Sequence, residues 1–224
     1  MDEFLAESLS RSLNIAVEQV VREEAEMFIL KVFFESKQGR YLVFKGGTAL
    51  RTAYGSPRFS DDLDFSAVSP IPAEDFEDIS RTAVKGFAGA ELVEALAKRF
   101  TLFALYRVRV PFVGRPFSIK VEISTRPVTM KPERDFELKL LTSEVTNLNV
   151  LAQVETLERL WKDKKTALAS RRQPRDLFDM WFISQKLGKG FSPDLAGFDR
   201  KIVVRELRKY LPRTHWGVID QWTG

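Results

Sequence analysis

The chain has 224 residues, of which 44% are hydrophobic and 29% are charged, an ordinary composition for a soluble globular protein. It contains no cysteine and a single histidine, His215, so disulfide and thiolate chemistry are excluded and a zinc site or a histidine-based triad is disfavoured. The net charge of +4 permits a polyanionic partner without requiring one.

The start of the chain, Met-Asp-Glu, lacks the basic and apolar pattern of a secretion signal. No run approaches the ~18 consecutive apolar residues that a membrane span needs. We therefore expect a cytoplasmic protein with no membrane contact. A chain of this length suits one substantial domain, or a core domain with a helical appendage.

The first half of the chain predicts a mixture of helices and strands. Apolar residues recur at helical spacing over residues 3 to 36, which indicates one long helix or two shorter ones. A short apolar strand at 41 to 44 leads through Gly46-Gly47 into a helix that starts near Thr48. Further along we predict an acidic strand, two helical stretches and two more strands, at residues 61 to 66, 74 to 87, 90 to 98, 101 to 113 and 117 to 124.

The second half of the chain is predicted to be helical from about Gln153 onward. Pro174 suits the first turn of a helix that ends near Leu187, and a last helix is predicted near residues 199 to 210. The predicted organisation is an α/β core over residues 1 to 150, which includes the N-terminal helix, and a helical region over residues 151 to 224.

The segment from Lys45 to Phe65 carries the strongest chemical signal. Gly46 and Gly47 lie at the strand-to-helix turn, where the absence of a Cβ lets backbone N–H groups approach an anion. Asp62 and Asp64 are spaced i, i+2, which places both on one face of the following strand. Two such carboxylates repel each other unless a divalent cation lies between them. The segment therefore predicts a magnesium–nucleotide site.

Glu122 is a candidate third carboxylate. It lies on the polar face of a strand whose other face is apolar, and a sheet could bring that face beside Asp62 and Asp64. Three carboxylates on one side of a sheet can hold two Mg²⁺ ions about 3.5–4 Å apart. The alternatives are a solvent-facing Glu122 paired with Lys120, and a Gly-Gly hairpin turn followed by a solvated acidic strand edge.

A second group of charged residues lies in the helical region. Lys164 follows an apolar stripe by about one turn and could project toward the sheet, where it would neutralise charge on a triphosphate. Asp176 and Asp179 are three residues apart and share a helix face, although Asp176 could instead complement the helix dipole. Basic residues are also concentrated in three stretches, for which solvated helix faces are the alternative explanation: 107 to 134, 162 to 175 and 200 to 213.

Four further residues have weaker signals. Thr48 is expected to cap its helix or to contact phosphate. Arg58 and Ser60 are expected to brace the acidic strand, although either could reach a phosphate. His215, next to Trp216, is expected to be a packing or surface residue.

Taken in order, these segments resemble the AbiEii family of abortive-infection and toxin–antitoxin nucleotidyltransferases, in the polymerase-β-like nucleotidyltransferase superfamily. Together they cover about a quarter of the chain. The glycine and acidic segments at the start and the basic and acidic segments at the end are specific to the family, whereas the strand segment around Glu122 would mean little alone. The matching segments are Phe44 to Leu50 with Tyr54-Gly55, Arg58 to Phe65, Val121 to Ile123, Lys164 to Leu168, and Arg175 to Asp179.

The resemblance implies an α+β fold with a polymerase-β-like core, a mixed sheet flanked by helices and followed by a helical C-terminal region. It implies that Asp62, Asp64 and Glu122 are metal ligands and catalytic residues, joined by Lys164 and Asp176 in the active site, with Asp179 as the alternative acid. The residues that it implies for nucleotide binding are Lys45, Gly46, Gly47, Thr48, Arg58, Ser60 and Arg175.

The resemblance also implies the reaction and its partners. The expected substrate is an NTP with Mg²⁺, the expected acceptor is the 3′ end of a tRNA, and a cognate antitoxin protein is the expected partner. Two other hypotheses stay open at this stage. The acceptor could be a protein hydroxyl, modified by nucleotidyl or phosphoryl transfer, or the domain could be a catalytically silent nucleotide- or RNA-binding module.

Overall fold

The structure is a computed structural model that describes all 224 residues. Its helices are α1 (Glu3–Leu13), α2 (Val17–Glu35), α3 (Gly46–Tyr54), α4 (Ala73–Thr82), α5 (Leu157–Arg171), α6 (Pro174–Leu187), α7 (Arg200–Tyr210) and α8 (Trp216–Thr223). Its strands are β1 (Leu42–Lys45), β2 (Asp62–Ala67), β3 (Ala90–Lys98), β4 (Thr101–Val108), β5 (Phe117–Ser124), β6 (Phe136–Ser143) and β7 (Thr146–Glu155).

All seven strands form one mixed sheet in the order β3-β4-β5-β2-β1-β7-β6. Strand β2 runs parallel to β5, and β1 runs parallel to β7, whereas the other neighbouring pairs are antiparallel. Helices flank this sheet, and the last four helices follow it in the chain. The expected α+β class, with a mixed sheet and a helical C-terminal region, is therefore confirmed.

One face of the sheet carries the main apolar core. Helices α2 and α4 pack against this face, to which the strands contribute alternate residues. Phe44 and Phe65, on adjacent strands, have ring centroids 5.1 Å apart, and Phe33 of α2 stacks on Phe65 at 6.0 Å. The same alternation places the neighbouring residues Lys45 and Asp64 on the opposite face.

The C-terminal helices form a second apolar cluster, which includes Leu50 of α3 together with Leu160, Phe178 and Leu207. Helix α3 joins the two clusters, because Ala49 of the same helix belongs to the main core. Strand β7 crosses residue 150, where the sequence predicts a boundary, and the helical region begins at Leu157.

The helix predicted for residues 90 to 98 is wrong: this segment is the edge strand β3. Its composition of Ala, Glu, Leu and Lys favours a helix, but the segment pairs with β4 from Ala90↔Val108 to Lys98↔Thr101. Helix propensity is a weak preference that tertiary pairing overrides. Strands β6 and β7, which the pattern did not predict as strands, form a second antiparallel hairpin at the other edge.

The other boundaries differ by smaller amounts. The N-terminal segment is two helices, separated at Asn14, which has a left-handed backbone with φ of 54°. Helix α4 ends at Thr82 rather than near residue 87, and β4 ends at Val108 rather than at 113. None of the helices is long and apolar enough to cross a membrane.

Candidate active site

The acidic strand β2 has the two-sided character that its sequence predicts. Leu63 and Phe65 are fully buried in the main core, whereas Asp62 and Asp64 lie on the opposite face and are partly exposed. Strand β5 is the parallel neighbour of β2, and Glu122 is the register partner of Asp64. Since register partners share a face of the sheet, the structure brings Asp62, Asp64 and Glu122 together on one face.

The three carboxylates differ in their positively charged neighbours. Lys120 Nζ lies 3.3 Å from Asp62 Oδ2 and 3.9 Å from Glu122 Oε2, so an ammonium group bridges two of the three carboxylates. No lysine or arginine forms an ion pair with Asp64, and burial and the charge of Asp62 raise the pKa of that carboxyl. The carboxylate oxygens of Asp62, Asp64 and Glu122 are ligands of the kind that Mg²⁺ prefers, although the three side chains are not gathered into a preformed metal cluster.

The glycine turn packs directly against the acidic strand. Gly46 has a φ of +84°, and a Cβ built on it would lie 2.6 Å from Asp64 Oδ2. A Cβ on Gly47 would clash with Arg58 Nη2 and would lie 2.8 Å from Ser60 Oγ. Any larger residue at either position would have to displace one of these side chains. The two glycines therefore allow the start of α3 to lie against the carboxylates.

The N-terminus of α3 has no side-chain cap, since its N-cap residue Lys45 forms no capping hydrogen bond. The predicted capping role of Thr48 is wrong. Its Oγ1 instead donates a hydrogen bond of 2.6 Å to the backbone carbonyl of Asp62 and ties α3 to β2. The first backbone N–H groups of the helix therefore have no capping acceptor, which is the arrangement that binds phosphate oxygens at helix N-termini.

Arg58 is connected to the C-terminal helices by a buried ion pair. Its Nε and Nη2 donate to the two carboxylate oxygens of Asp179 at 2.7 and 2.9 Å, and its Nη1 donates to the carbonyl of Phe59. Both Arg58 and Asp179 are essentially unexposed. The guanidinium is thus occupied by protein acceptors, and these are Asp179 of α6 and the Phe59 carbonyl rather than residues of the acidic strand β2.

Lys164 lies between the two helix acids. Its Nζ is 2.6 Å from Asp179 Oδ2 and 3.1 Å from Asp176 Oδ1. Asp176 also accepts two hydrogen bonds from Arg171, at 2.7 and 2.8 Å. Burial alone would raise the pKa of Asp179, but the charges of Arg58 and Lys164 outweigh it and hold that pKa at about 2. Both acids therefore serve as ionised partners that position Lys164.

A cavity of about 440 Å³ opens between α5 and the end of the sheet where the glycine turn lies. Burial and the charge of Asp62 keep the pKa of Asp64 raised, and the ammonium groups of Lys164 and Lys45 oppose this shift without reversing it. The cavity is lined by residues that include Lys45, Gly46, Asp64, Glu155, Lys164 and Arg171. It offers basic groups and a helix N-terminus beside a carboxylate, which is an environment for a polyphosphate and its metal.

The model of the family described as nucleotidyl transferase AbiEii toxin, type IV toxin–antitoxin system, matches residues 29–217 of the chain. The chain belongs to the AbiEii family. It is a nucleotidyltransferase of a toxin family, and the resemblance seen in the sequence is confirmed. Membership implies a nucleotide substrate and a cognate antitoxin.

Two solved structures share the fold of this AbiEii chain. JHP933 from Helicobacter pylori has a TM-score of 0.59 and 22% identity, over 93% of each chain. MenT4, a nucleotidyltransferase toxin from Mycobacterium tuberculosis, has a TM-score of 0.60 and 22% identity, over 91% of this chain and 69% of that one. At this identity the likeness concerns the fold alone. No curated protein sequence matches the chain significantly.

Three charged residues that line the cavity were not predicted as site residues: Glu155, Asp163 and Arg171. A signal for Arg171 existed, since it lies seven residues after Lys164 and therefore on the same face of α5. No local pattern distinguishes Glu155, because its position depends on strand β7. Of the predicted site residues, only Lys45, Gly46, Asp64 and Lys164 line the cavity. Arg175 is among those that do not, and its Nε donates to Gln173 Oε1 at 2.7 Å.

Glu155 is a fully buried carboxyl whose two oxygens have no hydrogen-bond partner in the chain. Burial and the negative charge of Asp163 raise its pKa from 4.5 to about 8. Because the pKa of the folded state is raised, the favourable contribution of Glu155 is complete below about pH 4.5 and is lost as the pH rises to about 8. The charged form therefore destabilises the AbiEii fold at neutral and alkaline pH.

We expect Glu155→Gln to raise the free energy of unfolding by roughly 2–4 kcal/mol at about pH 8, with little change at about pH 4.5. The reason is that the amide cannot ionise in the buried site. Urea unfolding at a series of pH values measures this difference. Glu158→Gln is the matched control, since Glu158 is exposed and its replacement should leave the pH profile unchanged. Parallel profiles for the wild type and Glu155→Gln would contradict the prediction.

Proposed function

We propose that this protein is a Mg²⁺-dependent nucleotidyltransferase that moves a nucleoside monophosphate from an NTP to the 3′ hydroxyl of an RNA, with the tRNA acceptor end as the preferred RNA. The observation that carries the proposal is the placement of Asp62, Asp64 and Glu122 on one sheet face, beside the uncapped N-terminus of α3. An NTP and RNA are both cytoplasmic, and we propose that location for the reaction.

The cavity supports binding of the triphosphate. The first N–H groups of α3 would donate to phosphate oxygens, and Lys45 would contribute a positive charge from the end of β1. Lys164 and Arg171 lie on the opposite wall, held by Asp176 and Asp179. The ion pairs with these two acids keep the basic groups in place before the nucleotide arrives, so less conformational entropy is lost on binding.

The chemical step needs few groups beyond these. The 3′ oxygen of the acceptor bonds to the α-phosphorus of the NTP, the bond to the β-phosphate breaks, and pyrophosphate leaves as the hydroxyl proton is lost. Mg²⁺ held by Asp62, Asp64 and Glu122 would lower the pKa of that hydroxyl and balance charge on the phosphates. Lys164 stabilises the negative charge that builds on the leaving pyrophosphate.

Incubation with labelled NTPs, Mg²⁺ and total RNA tests the proposal. We expect label at RNA 3′ ends with the wild type and none with the Asp62→Ala/Asp64→Ala double variant. Glu74→Ala/Asp78→Ala is a matched control, because it removes two exposed carboxylates from α4 and should label RNA normally. The same reactions with each single NTP and with purified tRNA identify the donor and the acceptor.

Three outcomes would overturn the proposal. Equal labelling by the Asp62→Ala/Asp64→Ala variant would place the chemistry elsewhere. Label on protein in place of RNA would identify a protein hydroxyl as the acceptor. Absence of any product, together with no thermal stabilisation by Mg²⁺ and NTP, would indicate a silent binding module.

A further inference from the structure

The catalytic face of the sheet extends beyond the carboxylates into strands that have no role in the proposed donor site. Glu122 of β5 pairs with Phe103 of β4, and Phe103 pairs with Leu96 of β3. Directly paired residues share a face, so one row of side chains crosses four neighbouring strands. In order, the row is Asp64, Glu122, Phe103 and Leu96.

The two sides of this row have different surroundings. On the β1 side of Asp64, helix α5 covers the face and forms the cavity with Lys45 and Lys164. On the β4 and β3 side, Phe103 is only half-buried and Leu96 is 39% exposed. The alternate residues of β4 are buried in the main core on the other face. An apolar surface with an aromatic ring therefore lies open beside the carboxylates.

The positive charge around this surface suits a polyanion. Lys98 lies over the ring of Phe103, with Nζ 4.3 Å from the centroid. Arg99 and Arg126 are both exposed near the tip of the β3–β4 hairpin, where Thr125 donates a backbone hydrogen bond to Phe100 and the Arg99 guanidinium lies over the Phe100 ring. The group that covers the ring is thus an exposed, flexible ammonium side chain rather than packed core.

The spacing suits one nucleotide. Neighbouring strands are about 4.8 Å apart, so β4 lies roughly 10 Å from β2 across the row. Only the sugar separates a base from its own 3′ oxygen, a distance between the single strand spacing from Phe103 to Glu122 and the double spacing from Phe103 to Asp64. A base stacked on Phe103 would therefore leave its 3′ hydroxyl near Asp64 and Glu122. Proteins that bind single strands commonly combine basic side chains with an aromatic ring on which a base stacks.

We propose that Phe103 and Leu96 form the acceptor platform, on which the last unpaired base of the RNA stacks while Lys98, Arg99 and Arg126 hold its phosphates. The inference rests on the proposed function and extends it to the acceptor side of the same site. Phe103 then acts as a binding residue for the acceptor, on the side of the carboxylates opposite to the triphosphate cavity.

The test uses a labelled RNA hairpin with a short unpaired 3′ tail, and the same hairpin with a blunt end. We expect Phe103→Ala and Phe103→Leu to bind the tailed hairpin roughly tenfold more weakly or worse, and Phe103→Trp to retain binding. Phe103→Leu keeps an apolar side chain on the strand, so its loss of binding would not reflect misfolding. Phe4→Ala is the control, since Phe4 is an exposed aromatic residue of α1 and does not belong to the sheet. A photoreactive thiouridine at the 3′ end should crosslink to β3 or β4.

The kinetic expectation separates the two sides of the site. Phe103→Leu should raise the KM for RNA and leave the KM for NTP unchanged. Equal binding of the tailed hairpin by wild type and Phe103→Leu, or a crosslink outside β3 and β4, would overturn the platform even if transfer occurs. Conversely, a wild type that binds the tail through Phe103 but transfers no nucleotide would contradict the proposed reaction and leave the platform standing. A Phe103 effect confined to a protein acceptor would overturn both.

Discussion

Replacing Asp64 with asparagine should reduce the rate of nucleotidyl transfer by roughly 10³-fold, because under the proposed function Asp64 would hold a metal ion that contributes several kcal/mol of charge stabilisation to the transition state. The same substitution should raise the stability of the metal-free protein. Asp64 has a raised pKa in the folded state, so its favourable contribution is lost as the pH rises and the charged form at neutral pH opposes folding. Activity and stability therefore change in opposite directions.

The adjacent Asp61 is the matched control for this prediction. It is bound by Arg22, Lys209 and Tyr210, and these partners lower its pKa although burial alone would raise it. Asp61→Asn should therefore lower stability at neutral pH, by about 1–3 kcal/mol, and should affect transfer less than Asp64→Asn. Thermal unfolding in EDTA and initial rates in saturating Mg²⁺ measure the two effects. A destabilised Asp64→Asn protein would contradict the assignment of Asp64 as an unpartnered carboxylate.

Replacing Arg58 with methionine should lower the free energy of unfolding by about 3–5 kcal/mol, which is the usual cost of removing one partner from a buried ion pair. The substitution leaves Asp179 buried with Lys164 as its remaining cation. It also removes the contact between the loop before β2 and helix α6. Chemical denaturation at neutral pH measures the change.

Arg81→Met is the control for Arg58→Met, because Arg81 forms an exposed ion pair with Glu77 and its loss should cost less than about 0.5 kcal/mol. The dependence of stability on pH below about pH 4 gives a second check. The pKa of Asp179 is lowered to about 2 from 3.8, so its contribution is present above about pH 4 and is lost toward pH 2. Arg58→Met should weaken this acid dependence. A loss of stability similar to that of Arg81→Met would contradict the stabilising role of the buried pair between Arg58 and Asp179.

The acids of the site fall into two groups that differ in their basic partners. Asp176 and Asp179 neutralise and position Lys164, Arg171 and Arg58, whereas Asp64 has no such partner. The sequence left open whether Asp176 or Asp179 is the catalytic acid. The structure shows that both hold Lys164, which favours a positioning role for each of them.

Much of the site was predictable because its signals are local. The alternation of Asp62, Leu63, Asp64 and Phe65 determines which side chains share a face, whatever the surrounding fold. The glycine pair likewise predicts a close approach of the backbone to a ligand, because glycine lacks a Cβ in any fold. The order of the motifs along the chain was sufficient to indicate the AbiEii family, which the family comparison confirms.

What the sequence by itself determined was the set of chemical groups: the acidic pair, the glycine turn, the basic helix residues and the absence of cysteine chemistry. Only the tertiary structure decided which groups are free and which are occupied, as in the pairing of Arg58 with Asp179 and the orphaned carboxyl of Glu155. It also decided that residues 90 to 98 form a strand, which places Phe103 between Glu122 and Leu96. The physical reason is that pairing across a sheet joins residues far apart in the chain, and its energy exceeds the local propensities that a sequence pattern reports.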